Sequence, residues 1–163
     1  MDESADSSGD WKTEFKENLP MLGHRNWVLV LDKAFPEQNS SGIEYIYVEA
    51  GLNQTLQYVL NELEASDHVS PVIYRDLELE YLTEEQVKGI DKFKQESEDV
   101  LSGKKVQRLL HEEVFKLLDE SSEMFKIFAI KTNCIMPYTS VFIQLDCGYW
   151  TPEQEEKLRK LVP

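Results

Sequence analysis

Four residues of this chain can hold or move a proton, and each stands where a short apolar run begins or ends. His24 precedes the run Val28-Leu29-Val30-Leu31, and Asp32 closes it. His111 follows the segment from Lys105 to Leu110, and Tyr138 lies just before Val141-Phe142-Ile143-Gln144-Leu145. An imidazole with an ordinary pKa of about 6.5 exchanges a proton readily near neutral pH. A carboxylate accepts hydrogen bonds, and a phenol donates or accepts one while remaining neutral. The chemistry these types share is general acid/base catalysis. Each also has an ordinary structural alternative: a hydrogen-bonded core or cap histidine, a loop or cap carboxylate, a packing aromatic.

The elements that must position them follow from periodicity and turn chemistry. Four consecutive aliphatic residues bounded by polar ones fit a strand buried on both faces, and ligands of open α/β sheets gather at the carboxyl ends of strands, where Asp32 stands. Upstream, Trp11, Phe15, Leu19 and Leu22 recur at helical spacing, which predicts a helix from about 11 to 18, stopped before Pro20. Pro36, Asn39, Ser40, Ser41 and Gly42 predict a loop after Asp32, and Ile43 to Val48 a second strand. Leu56, Val59, Leu60 and Leu63 mark a helix over 53–64 with Asn53 or Thr55 as its cap. His68 to Tyr74 reads as a loop entering a third strand, with His68 itself a surface residue, and 76–82 as a strand end or short helix. Thr83-Glu84-Glu85-Gln86 resembles a capping box opening a helix that runs toward Gly103 with its glutamates in solvent. Strands over 105–110, 125–130 and 141–145, a helix starting near His111, and a terminal helix opened by Thr151-Pro152-Glu153-Gln154 complete the chain. Strands alternating with helices predict α/β: a single three-layer domain over 11–163, its central, largely parallel sheet covered by helices on both faces. Residues 1–10 read as a disordered acidic tail.

Composition narrows the function. With 31 Asp and Glu against 17 Lys and Arg among 163 residues, the net charge of −14 argues against nucleic acid as a partner. No apolar run is long enough to span a bilayer, and no secretory leader is visible. Cys134 and Cys147 show neither CxxC nor Cys/His clustering, so no metal site is expected, and a soluble cytoplasmic protein with buried thiols is. The chain lacks a glycine-rich phosphate loop, a serine nucleophile elbow and a metal-binding histidine pair.

Leu22-Gly23-His24, Val28 to Asp32, Leu110-His111-Glu112-Glu113 and Pro137-Tyr138-Thr139-Ser140-Val141-Phe142-Ile143 resemble the D-ribose pyranase and L-fucose mutarotase family. The resemblance implies an α/β domain that assembles into a homo-oligomer with monosaccharide sites near subunit boundaries. It further implies interconversion of sugar ring or anomeric forms without cofactor or metal. Position by position, His24 matches the family's catalytic histidine and Asp32 its strand-end aspartate. His111 matches its second histidine and Tyr138 its Pro-Tyr tyrosine, these two as sugar-binding groups with Lys131 and Ser140. Ser140 stands where the family commonly has Asn, Lys131 where it has Arg or a similar residue, and the span from His111 to Tyr138 is long. A divergent substrate, or a non-catalytic sugar-binding or assembly protein on the same fold, is therefore the alternative. His24→Ala is expected to abolish ring-form exchange while leaving the circular dichroism of the fold unchanged; exchange at the parental rate would remove His24 from the chemistry.

Overall fold

The apolar run ending at Asp32 forms strand β1, Trp27–Leu31, buried at every position. Val28 and Val30 enter one core and Trp27, Leu29 and Leu31 another on the opposite face. A strand covered on both faces has no polar side, which is why the run is unbroken. The computed structural model describes residues 4–39 and 41–163. Residues 1–3 of the expected tail and Ser40 of the expected turn lie outside them.

Strands β2 (Ile43–Tyr47), β3 (Val69–Asp76), β4 (Val106–Leu109), β5 (Ile127–Lys131) and β6 (Val141–Cys147) complete a six-stranded sheet in the order β2-β5-β1-β6-β3-β4. β1 to β5 run parallel, whereas β6 is inserted between β1 and β3 and runs against both. Helices α1 (Ser4–Asn18), α2 (Leu52–Glu64) and α3 (Ile90–Val100) cover one face through Phe15, Leu56, Leu60, Ile90 and Phe93. Helix α4 (His111–Ser122) covers the other through Val114 and Leu118, joined by Phe35 from the loop after β1. This is the expected three-layer α/β arrangement with a largely parallel sheet. Among the described residues, no helix is long and apolar enough to cross a membrane.

Local boundaries differ where a competing interaction wins. The first helix starts at Ser4, because propagation from a packed turn at Trp11 and Phe15 does not itself require an apolar face. α2 is capped by Gly51, not by Asn53 or Thr55; Thr55 instead donates back to the Gly51 carbonyl at 2.9 Å. The Thr83–Gln86 box forms, yet the helix is delayed to Ile90 because Gly89 adopts a left-handed backbone (φ 90°). Glu84 then accepts from the Gly89 and Asp91 amides, so it serves the start of α3 instead of a solvated face. His68 is no plain surface residue: its Nε2 lies 3.1 and 3.0 Å from the carbonyls of Leu19 and Leu22 and ties the segment before His24 to the start of β3. At the C-terminus, α5 (Pro152–Leu161) opens with the expected capping box and buries none of its residues.

The far end of β6 is fixed by a close approach. A Cβ on Gly148 would stand 2.4 Å from the Asp67 carbonyl oxygen and 2.8 Å from the Val69 amide, both backbone atoms that cannot rotate aside. Gly148→Ala is expected to cost about 1–3 kcal/mol through overpacking. A urea titration with an unshifted midpoint would show that the two segments separate freely.

Candidate functional site

Because β6 opposes its neighbours, its first residues lie at the carboxyl ends of β1 and β3, with Val141 in register with Val30 on one side and Arg75 on the other. The chain leaves β1 toward β2 at one edge of the sheet and leaves β3 toward β4 at the other. Loops that depart in opposite directions open a crevice at such a switch point. Asp32, Asp76, His111, Tyr138 and Ser140 gather there.

Two carboxylates are held differently. Ser140, 1% exposed, accepts from the Asp32 amide at 2.9 Å and donates its hydroxyl to Asp32 Oδ1 at 2.5 Å. Its one hydroxyl is thus spent on setting the Asp32 carboxylate. Asp76, also 1% exposed, meets His111 Nδ1 through Oδ2 at 2.9 Å, and its Oδ1 is buried without a hydrogen-bond partner. Burial pushes the Asp76 carboxyl up to about 6; the hydrogen bond and charge of His111 pull against this, while Glu78 and Asp32 add to it. His111 is a third exposed, and its backbone amide donates to both oxygens of Glu78, at 3.0 and 3.1 Å. A carboxylate at the first turn of α4 is well placed against the helix dipole.

Tyr138 meets His111 edge-on, ring centroids 5.5 Å apart and planes at 89°. Its backbone is left-handed (φ 60°), an uncommon state for a bulky residue. What holds it there is Arg75, whose guanidinium donates to the carbonyl of the next residue, Thr139, at 2.9 Å and to Ser97 Oγ at 2.5 Å. Burial draws the Arg75 pKa down to about 10, so it is still charged at neutral pH. Beside these groups a cavity of about 340 Å³ opens between Asp32 to Ala34 and Ile135 to Pro137, within the range of small-molecule sites. Lys131 ends β5 on the same edge, in register with Leu31 and Tyr47.

His24 is the residue that one chain does not bring to this place. It precedes β1, so five residues of strand, on the order of 15 Å at about 3.3 Å each, separate it from Asp32. At that opposite edge its Nδ1 lies 3.0 Å from Asp146 Oδ1. Sequence reasoning missed Asp76, Arg75 and Asp146. Asp76 carried the same signal as Asp32, a carboxylate closing an apolar strand, but Pro71 and Arg75 masked the strand. Arg75 and Asp146 have no sequence signal, since their roles depend on which strands flank β6. Among the described residues, no cluster of three or more His, Cys, Asp or Glu could hold a metal ion.

Neither protein-family models nor curated proteins match the chain. Solved structures do. RbsD from Bacillus subtilis, complexed with D-ribose, is 20% identical with a TM-score of 0.57 over 81% of this chain and 90% of its own. FucU from Bifidobacterium longum is 14% identical with a TM-score of 0.52 over 81% and 92%. The fucose mutarotase from Streptococcus pneumoniae, in complex with L-fucose, is 13% identical with a TM-score of 0.52 over 80% and 89%. The chain shares the fold of these proteins.

The elevated Asp76 pKa has a consequence for stability. Because the folded value of about 6 lies above the ordinary 3.8, the folded chain holds this proton more tightly than the unfolded one. The contribution is complete below about pH 4 and is lost as pH rises toward 6. Asp76→Asn, which cannot titrate, is expected to gain on the order of 2–3 kcal/mol relative to wild type between those pH values. A stability difference that stays flat with pH would mean that Asp76 is ionised in the fold as readily as in water.

Proposed function

We propose that this chain interconverts ring or anomeric forms of a free monosaccharide by general acid/base catalysis. The observation that carries the reading is the pair formed by buried Asp76 and His111, with Tyr138 edge-on to the imidazole, at the sheet's switch point. The fold shared with a ribose-complexed RbsD and a fucose-complexed mutarotase supports the substrate class.

Opening a cyclic hemiacetal takes a proton from the anomeric hydroxyl and gives one to the ring oxygen; closure reverses both, with no net proton change. With Asp76 ionised, His111 carries its proton on Nδ1 and offers Nε2 to the sugar. Asp32, held in place by Ser140, accepts from a sugar hydroxyl, and Tyr138 and Lys131 donate to others. Ser140 acts through Asp32 instead of touching the ligand. His24 is the second acid/base, and at the opposite edge of the sheet it reaches this site only from a neighbouring copy. An interface joining the carboxyl edge of one sheet to the amino edge of the next is head-to-tail; such an interface forms a ring where the rotation between copies closes and a filament where it does not, and the closed ring is the form proposed. The assembly is therefore a homo-oligomer larger than a dimer.

A second reading, sugar binding without turnover, draws on the Ser140 hydroxyl that already engages the Asp32 carboxylate. Saturation-transfer NMR of anomeric and ring-form exchange, with D-ribose and L-fucose as probes, separates the two.

Subunit sharing has its own test. His24→Ala and His111→Ala are each expected to be inactive alone. Mixed in equal amounts, unfolded and refolded together, they should recover roughly a quarter of parental exchange, because about one site in four draws both intact histidines from different chains. No recovery, with oligomers formed, would place the two histidines in unrelated sites.

A further inference from the structure

At the edge opposite Asp32, His24 lines a cavity of about 480 Å³ with Asp146, Tyr149, Trp150, Pro152 and Glu155. Two independent arrangements meet in it. The first is the carboxylate partner of the imidazole. Asp146 Oδ1 accepts from the Cys147 amide at 2.9 Å and lies 3.0 Å from His24 Nδ1, so the carboxylate is anchored by backbone before it meets the ring. The backbone on both sides is fixed as well: Arg25 donates to the Leu145 carbonyl at 2.9 Å, and Leu145 to that of Asn26 at 2.8 Å. Nδ1 therefore keeps its proton toward Asp146, and Nε2 is the ring nitrogen available to a ligand.

The second is an aromatic wall. Trp11 and Trp27 are 4% and 0% exposed and belong to the cores, whereas Trp150 is 38% exposed. Its indole N–H donates to Glu155 Oε2 at 2.9 Å, and Glu155 also accepts from Arg159 at 2.8 Å. The Thr151–Gln154 capping box fixes the first turn of α5, which carries Glu155. A helix that buries none of its own residues thus orients one exposed indole. Trp and Tyr present flat apolar faces at low conformational cost, and a pyranose ring presents a matching face of C–H bonds between its hydroxyls.

We propose that this cavity is the stacking half of the sugar site: Trp150 receives the apolar face of the ring, and Asp146 is the positioning residue that fixes the His24 tautomer. The proposal rests on the sugar reading above, and it gives the C-terminal helix a task.

The test uses the full chain and the same two sugars. Trp150 is the solvent-exposed indole, so its emission should change saturably on sugar binding, and Trp150→Phe should abolish that signal. Trp150→Ala is expected to raise KM roughly three- to tenfold with kcat retained, and Trp150→Phe, which keeps a ring, to restore part of the loss. Asp146→Asn should do the opposite, lowering kcat roughly tenfold with KM little changed. Circular dichroism confirms that each variant is folded. Parental KM in Trp150→Ala together with an emission unresponsive to sugar would overturn the stacking role, while exchange by the parent would leave the catalytic reading standing. A saturable Trp150 signal in a parent that exchanges nothing would do the reverse.

Discussion

The structure depends on one reversal of direction. β6 runs against five parallel strands from the middle of the sheet, between β1 and β3. An antiparallel strand in that place carries residues to both edges: Ser140 to the carboxyl ends of its neighbours, Asp146 to their amino ends. It does so without exposing itself, since Val141, Phe142 and Ile143 are all fully buried. The two groups of titratable residues are consequently the two ends of one rigid rod.

Around that rod, charge is buried where it positions something. Arg75 and Asp76 are adjacent on β3 and, by the alternation of a strand, turn to opposite faces. Arg75 goes to the α3 side, where it reaches Ser97 and stands over the Phe93 ring. Asp76 goes to the α4 side, where it meets His111. Burying an ion without full compensation is expensive, and here both retain an unpartnered polar atom, Arg75 Nε and Asp76 Oδ1. The return is geometric: the Thr139 carbonyl is held, so Tyr138 keeps a left-handed backbone, and the His111 ring has one orientation.

The same geometry places two separate groups of polar residues at opposite edges of one copy. At the carboxyl edge there are carboxylates, an imidazole and a phenol; at the amino edge there are an imidazole–carboxylate pair and an aromatic wall. Loops at both edges are tied by backbone hydrogen bonds, such as Lys33 to Cys134 and Asn133 to Ala50 at one end and Gly148 to His68 at the other. Movement within the chain cannot bring His24 to Asp32, because β1 itself is the spacer. In the head-to-tail assembly proposed above, a neighbouring copy brings it.

By itself the sequence determined the layers. Periodicity at Phe15, Leu56, Leu60 and Val114, the unbroken run in β1 and the capping box at Thr151 are local signals, and local propensity and burial agreed on them. It also named most of the chemical groups, because His24, Asp32, His111 and Tyr138 stand at element ends, where side chains escape the core. Only the tertiary structure decided which of them meet. Strand order and direction are set by long-range packing, which no short window records, so the meeting of His24 with Asp146 was illegible. So were the arrival of Asp76 at His111, the capture of Asp32 by Ser140, and the exposure of Trp150 against the burial of Trp27. The capture of Asp32 depends on β6 lying between β1 and β3, a pairing between residues about a hundred positions apart or more on one side and about seventy on the other, and the arrival of Asp76 depends on β3 pairing with β4, which sets Asp76 in register with Leu109.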